Sequence, residues 1–171
     1  MSLVERAAEY AEKAHKGQKR KYTGEPYINH CITVSELVKS VDHTDEMLAA
    51  ALLHDTVEDT EIAIMDIYFD FGEPICSYVA GLTDVSTLAD GNRAARKKID
   101  RDHYINSSPE VQTIKLADLI DNSKSIVERD PEFAKVYMKE KEALLGVLTE
   151  GDPELYRQAM YIVERYFIKQ H

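Results

Sequence analysis

No apolar run in this chain approaches the ~20 residues that cross a hydrocarbon core, which argues against a membrane-spanning helix and a membrane partner. Cysteine is scarce. Cys31 and Cys76 form neither a metal-binding spacing nor a disulfide framework, and both are expected as small buried residues in a reducing cytoplasm. Glycine and proline are also few, seven and five, so little punctuation interrupts the chain. The opening MSLVERAAEYAEKAHKG lacks the apolar core and small-residue cleavage site of a secretory signal, and reads as a first helix. Positive charge is in deficit as well. A net charge of −10 at pH 7 removes the broad basic face that a nucleic-acid polymer needs.

What is present is helical. The length of 171 residues, with 44% hydrophobic and 30% charged, suits one soluble domain spanning 1–171. Leu3, Ala7, Tyr10, Ala11 and Ala14 recur at spacings of three and four. Ile28, Ile32, Val34, Leu37, Val38 and Val41 give a second stripe. Asp45 starts a third helix, expected to run unbroken through MLAAALLHDTVED. Further helices are expected from about Glu61 to Phe71, from Pro74 to Leu82 and from Arg93 to Tyr104. Ser108-Pro109, Asp130-Pro131 and Asp152-Pro153 each pair a capping side chain with a proline at the first helical position. They predict helices over 109–128, 131–149 and 153–170. No segment alternates as a strand does. The fold class is therefore all-α, a single bundle of about eight to ten helices.

The basic residues that do occur are gathered. Lys16, Lys19, Arg20 and Lys21 lie together, and Arg93, Arg96, Lys97, Lys98 and Arg101 form a second group containing only Asp100. Two basic patches on an acidic body suit a small phosphorylated ligand, although the second patch also reads as a solvated helix face.

Three segments place histidine or carboxylate where the surroundings have no need of them. They are Tyr27-Ile28-Asn29-His30, the run AAALL ending in His54-Asp55, and Ile114-Lys115-Leu116-Ala117-Asp118. A buried imidazole or carboxylate is costly unless it is paired or holds a metal. Imidazole nitrogens with carboxylate oxygens suit Mn²⁺, Fe²⁺ or Zn²⁺ better than Mg²⁺ or Ca²⁺. Glu58 and Asp59 follow His54 and Asp55 by four residues, and Asn122 follows Asp118 by four, which on a continuous helix puts each one turn from its partner. That is where a group activating water or holding substrate belongs.

The segments AHKGQKRKYTGEPYINH (14–30), AALLHDTVEDT (50–60), FGEPI (71–75) and IKLADLIDN (114–122) resemble the HD hydrolase domain of the RelA/SpoT enzymes, especially their small stand-alone hydrolases. The resemblance implies a cytoplasmic enzyme with one Mn²⁺ per chain that removes the 3′-pyrophosphate from guanosine tetraphosphate and pentaphosphate. It implies His30, His54, Asp55 and Asp118 as metal ligands, and Glu58 and Asp59 as the pair that orients and activates water. Arg20, Lys21, Asn122 and Tyr137 are implied at the nucleotide. Lys97, in the second basic group, is expected at the terminal phosphates on electrostatic grounds alone. The chain departs from the pattern at Asp121 and Ser123.

Two other readings stay open on the sequence. One keeps the fold and metal but changes the substrate, to an adenosine alarmone, the 2′-phosphate of NADPH or a deoxynucleotide. The other is a nucleotide sensor without turnover, against which the intact Glu58-Asp59 pair counts. A homo-oligomer is also left open.

Overall fold

A computed structural model describes residues 1–171, all helix and turn, with ten α-helices and no strand. The chain divides into two compact units, Met1–Thr83 and Asp84–His171.

The first unit holds α1 (Leu3–Ala14), α2 (Ile28–Lys39), α3 (Asp45–Leu53), α4 (Thr56–Asp59), α5 (Ile64–Phe71) and α6 (Ile75–Leu82). Its centre is α3, where every residue from Met47 to Leu53 is buried against α1, α2 and α6. Thr44 caps this helix, its hydroxyl accepting from the Met47 N–H at 3.2 Å. Both cysteines are buried, as expected, and neither is in a disulfide.

The helix expected to run unbroken through 45–59 is broken. His54 Nδ1 takes the Ala51 carbonyl at 2.6 Å, and Thr56 Oγ1 takes the Leu53 carbonyl at 2.7 Å. Those carbonyls are the ones a continuing helix needs, so side chains displace the ladder. Asp55 then turns in the bridge region at φ −102°, ψ 1°, and the single turn of α4 follows.

The second unit holds α7 (Arg93–His103), α8 (Pro109–Arg129), α9 (Pro131–Leu145) and α10 (Pro153–Lys169). The three proline-opened helices start where the caps predict, with Ser108, Asp130 and Asp152 accepting from backbone N–H groups of the first turn. α8 packs against α9 and α10, and its first half is buried nearly all round, from Val111 to Ile114 and from Leu116 to Ile120. α9 stops four residues short of expectation, because its successor turn is tied to α8. Gln112 Oε1 takes the Glu150 N–H at 2.9 Å, and Thr113 Oγ1 takes the Asp152 N–H at 2.9 Å. No helix is long and apolar enough to cross a membrane.

Candidate metal centre

In the first unit, α2 carries His30 in its opening turn, and the broken end of α3 delivers His54 and Asp55. Both imidazoles are buried, at 2% and 3% exposure. His54 Nε2 stands 3.0 Å from Asp55 Oδ2, and His30 Nε2 stands 3.6 Å from the same oxygen. The two rings meet edge to face with centroids 5.2 Å apart.

The tautomer of His54 follows from its neighbours. The Ala51 carbonyl can only accept, so Nδ1 carries the proton. In a neutral ring Nε2 is then a lone pair, aimed at a carboxylate oxygen 3.0 Å away. Two acceptors at that distance repel unless a cation lies with them, either a proton or a metal ion. The donor set of two imidazole nitrogens and one carboxylate therefore fits a divalent metal, with a backbone carbonyl orienting the second histidine.

Tyr27, which sequence patterns did not single out, organises the carboxylates. Its hydroxyl lies 2.7 Å from Asp55 Oδ2 and 3.3 Å from Asp59 Oδ2, a single proton shared between two acids. Burial, and then the charge of Asp55, pushes the Asp59 carboxyl above the ordinary carboxylate range, with the Tyr27 hydroxyl working the other way. Gln18 Nε2 donates to the Asp59 carbonyl at 2.8 Å, and its Oε1 meets the ring of buried His15 at 2.9 Å. Glu58 is exposed on α4. The Arg20 guanidinium lies over the Tyr27 ring at 5.6 Å, and the Lys21 ammonium lies over Tyr22 at 5.2 Å. Their loop closes through Arg20 N–H to the Glu25 carbonyl and Gly24 N–H to the Arg20 carbonyl, with Gly24 at φ +74°. That φ favours glycine.

In the second unit, Asp118 is buried on α8 at 6% exposure. Lys115 Nζ donates to its Oδ2 at 2.9 Å, and Asn122 Nδ2 donates to its Oδ1 at 2.9 Å, so the predicted one-turn relation of Asn122 holds. Burial works against the Lys115 ammonium, but Asp118, ahead of Tyr104 and Asp84, more than offsets it and holds the lysine well above its usual value. Tyr137 is buried on α9 with Lys141 Nζ 4.7 Å from its ring centre. Lys97 lies half-buried on α7. Asp100, the one acid of the second basic group, is structural. It accepts from the N–H groups of Val85 and Ser86 and from the Ser86 hydroxyl at 2.7–3.0 Å.

Comparison with known proteins adds a relationship to this geometry. The HD domain family matches residues 7–144. The chain is 39% identical over 127 residues to guanosine-3′,5′-bis(diphosphate) 3′-pyrophosphohydrolase MESH1 of Drosophila melanogaster, covering 72% of this chain and 69% of that one. It is 37% identical over 124 residues to a GTP pyrophosphokinase of Streptomyces coelicolor, covering 72% of this chain and 14% of that much longer relative. A solved structure described as a metazoan ortholog of SpoT that hydrolyzes ppGpp superposes with a TM-score of 0.87 at 28% identity, over 97% of this chain and 96% of that one.

Proposed function

Because this chain belongs to the HD domain family, we propose that it is a metal-dependent phosphohydrolase that removes the 3′-pyrophosphate from guanosine 3′,5′-bis(diphosphate) and its pentaphosphate counterpart. The observation that carries this reading is the convergence of His30, His54 and Asp55 on one point, with His54 Nε2 turned to the Asp55 carboxylate by the Ala51 carbonyl. Those three residues, with Asp118 as the fourth ligand expected from the sequence, hold the ion. We take the ion to be Mn²⁺, on the mixed nitrogen and oxygen donor set. When bound it supplies Lewis acidity to a phosphoryl oxygen and lowers the cost of deprotonating water.

The side chains do the remaining work. Tyr27 fixes the rotamer of Asp55 and couples it to Asp59. Glu58 and Asp59, on the single turn of α4 after the ligand pair, take the proton of the attacking water as its general base. A new P–O bond forms at the phosphorus next to the ribose 3′ oxygen. The bond from that phosphorus to the 3′ oxygen breaks, and the 3′ oxygen leaves with the proton that the acid pair took from the water. Pyrophosphate and GDP, or GTP, are the products. Arg20 and Lys21 meet the base and phosphates, the planar guanidinium of Arg20 suiting both. Asn122 and Tyr137 position the nucleotide, and Lys97 faces its terminal phosphate. Two cysteines outside any disulfide suit a reducing, cytoplasmic setting.

A product panel tests the substrate. Metal-loaded protein is expected to release pyrophosphate, not orthophosphate, from the guanosine tetraphosphate, and far less of either from NADPH or deoxynucleotides. Orthophosphate from NADPH as the only product overturns the assignment. Glu58→Ala tests the mechanism, with an expected loss of about 100-fold in kcat at unchanged metal content. Unchanged turnover removes Glu58 from its role.

A further inference from the structure

The acids that take the proton of water stand on α4, a single turn too short to be stable alone. Its own ladder is brief. The Asp59 N–H donates to the Asp55 carbonyl at 3.0 Å, and the Thr60 N–H donates to the Thr56 carbonyl at 3.2 Å. Carbonyls at the end of any α-helix lack a partner within it. The Asp59 carbonyl finds one in a distant side chain, Gln18, whose Nε2 donates to it at 2.8 Å.

Gln18 is oriented in turn by a buried residue. A backbone carbonyl only accepts, so the amide turns its NH2 group to Asp59 and its oxygen to His15. The His15 Nδ1 therefore carries the proton and donates to Gln18 Oε1 at 2.9 Å. His15 is 2% exposed, and its Nε2 is buried with no hydrogen-bond partner in the protein. Burying an unpaired ring nitrogen is costly, so filling space does not account for a histidine here.

The same two residues hold Tyr27, whose hydroxyl lies against the Asp59 carboxylate. The Tyr27 N–H donates to the Gln18 carbonyl at 2.9 Å, and its ring lies 4.8 Å from the ring of His15, tilted by 33°. Asp59 is thus held at both ends, its main chain by Gln18 and its carboxylate by Tyr27. Every residue of this arrangement belongs to the first unit.

We propose that Gln18 is a positioning residue for Asp59, with His15 fixing the direction of its amide. This rests on the phosphohydrolase reading above and on the part given there to Asp59. Asp59 is exposed, so water competes for its carbonyl, and the contact supplies direction more than stability. Gln18→Met keeps the length of the side chain and removes both of its hydrogen bonds. The expected result is a kcat for the guanosine tetraphosphate lower by roughly five- to tenfold, with KM within about twofold and metal content unchanged. His15→Leu is expected to act in the same direction, and His15→Asn, which keeps an N–H donor near the place of Nδ1, to restore kcat. Combined with Asp59→Asn, Gln18→Met has nothing left to position and is expected to cost no more than about twofold. Amide hydrogen exchange gives a readout that needs neither substrate nor turnover. Exchange at the Asp59 and Thr60 N–H groups is expected to quicken at least about fivefold in Gln18→Met, with the buried amides of α3 unchanged.

If the wild type turns over the tetraphosphate and kcat does not move in Gln18→Met, the positioning role is wrong and the phosphohydrolase reading stands. An equal loss with and without Asp59→Asn likewise overturns it, since Gln18 then acts on the fold at large. If the wild type turns over no pyrophosphorylated nucleotide, the functional reading fails, and exchange at Asp59 and Thr60 alone decides whether Gln18 tethers the turn.

Discussion

Tyr27 is the residue on which the carboxylate arrangement of the first unit depends. One hydroxyl within 3.3 Å of both Asp55 and Asp59 keeps two acids close at the cost of a single hydrogen. Tyr27→Phe removes that hydrogen and little volume. A lost hydrogen bond to a charged group is worth about 1.5–3 kcal/mol, so kcat is expected to fall at least tenfold with metal content retained. Unchanged kcat would show that Asp55 holds its rotamer without help. That His30, His54 and Asp118 are buried was legible from the sequence, because an imidazole or carboxylate amid apolar residues is conspicuous. Tyr27, Lys115 and Lys141 were not, since a tyrosine or lysine beside a helix looks ordinary until its direction is known. Lys115 left one trace, a cation in the apolar run Ile114-Lys115-Leu116 three residues before Asp118.

Helix starts were read correctly from sequence wherever a cap and a proline coincided, because both act within one turn. Helix ends were harder. α3 stops at Leu53 because two side chains, His54 and Thr56, take carbonyls from the backbone ladder, and apolar periodicity carries no sign of that competition. α9 stops at Leu145 because Gln112 and Thr113, more than thirty residues away in sequence, claim the N–H groups of Glu150 and Asp152. Between those two bonds lies Gly151, pressed against α8. A Cβ there falls 2.6 Å from Leu116 Cδ1 and 3.2 Å from the Gln112 carbonyl carbon. The leucine can shift, but the helix backbone cannot. Gly151→Ala is expected to destabilise the protein by about 1–3 kcal/mol, visible as a lower Tm. An unchanged Tm would show that the turn adjusts without disturbing α8.

For the whole molecule, a half-buried ammonium on α9 ties stability to pH. Lys141 falls from 10.5 to about 7 on folding, so the folded chain binds that proton more weakly than the unfolded one. Its contribution to stability is therefore most favourable above pH 10.5, declines as pH falls toward 7, and is flat below. Lys141→Met is expected to raise Tm at pH 7 by roughly 2–4 °C in phosphate-free buffer, about 1 kcal/mol for a chain of this size. That advantage should shrink toward pH 10. A Tm difference independent of pH would assign the change to packing instead. Bound metal acts on the same balance, because an ion that binds only the folded chain stabilises it by mass action. Mn²⁺ at 100 times its Kd is expected to add about 2.7 kcal/mol, and a chelator to remove it. Equal melting curves with and without the ion would contradict a metal held by buried ligands.

The central claim is that His54 and its partners hold the ion on which hydrolysis depends. The most direct test is the rate of pyrophosphate release from the guanosine tetraphosphate by Mn²⁺-loaded wild type and by His54→Ala, each confirmed folded. Rapid, stoichiometric pyrophosphate and GDP from the wild type, with release by His54→Ala lower by at least about 1000-fold, is the predicted result. Equal rates from the two proteins would contradict the account.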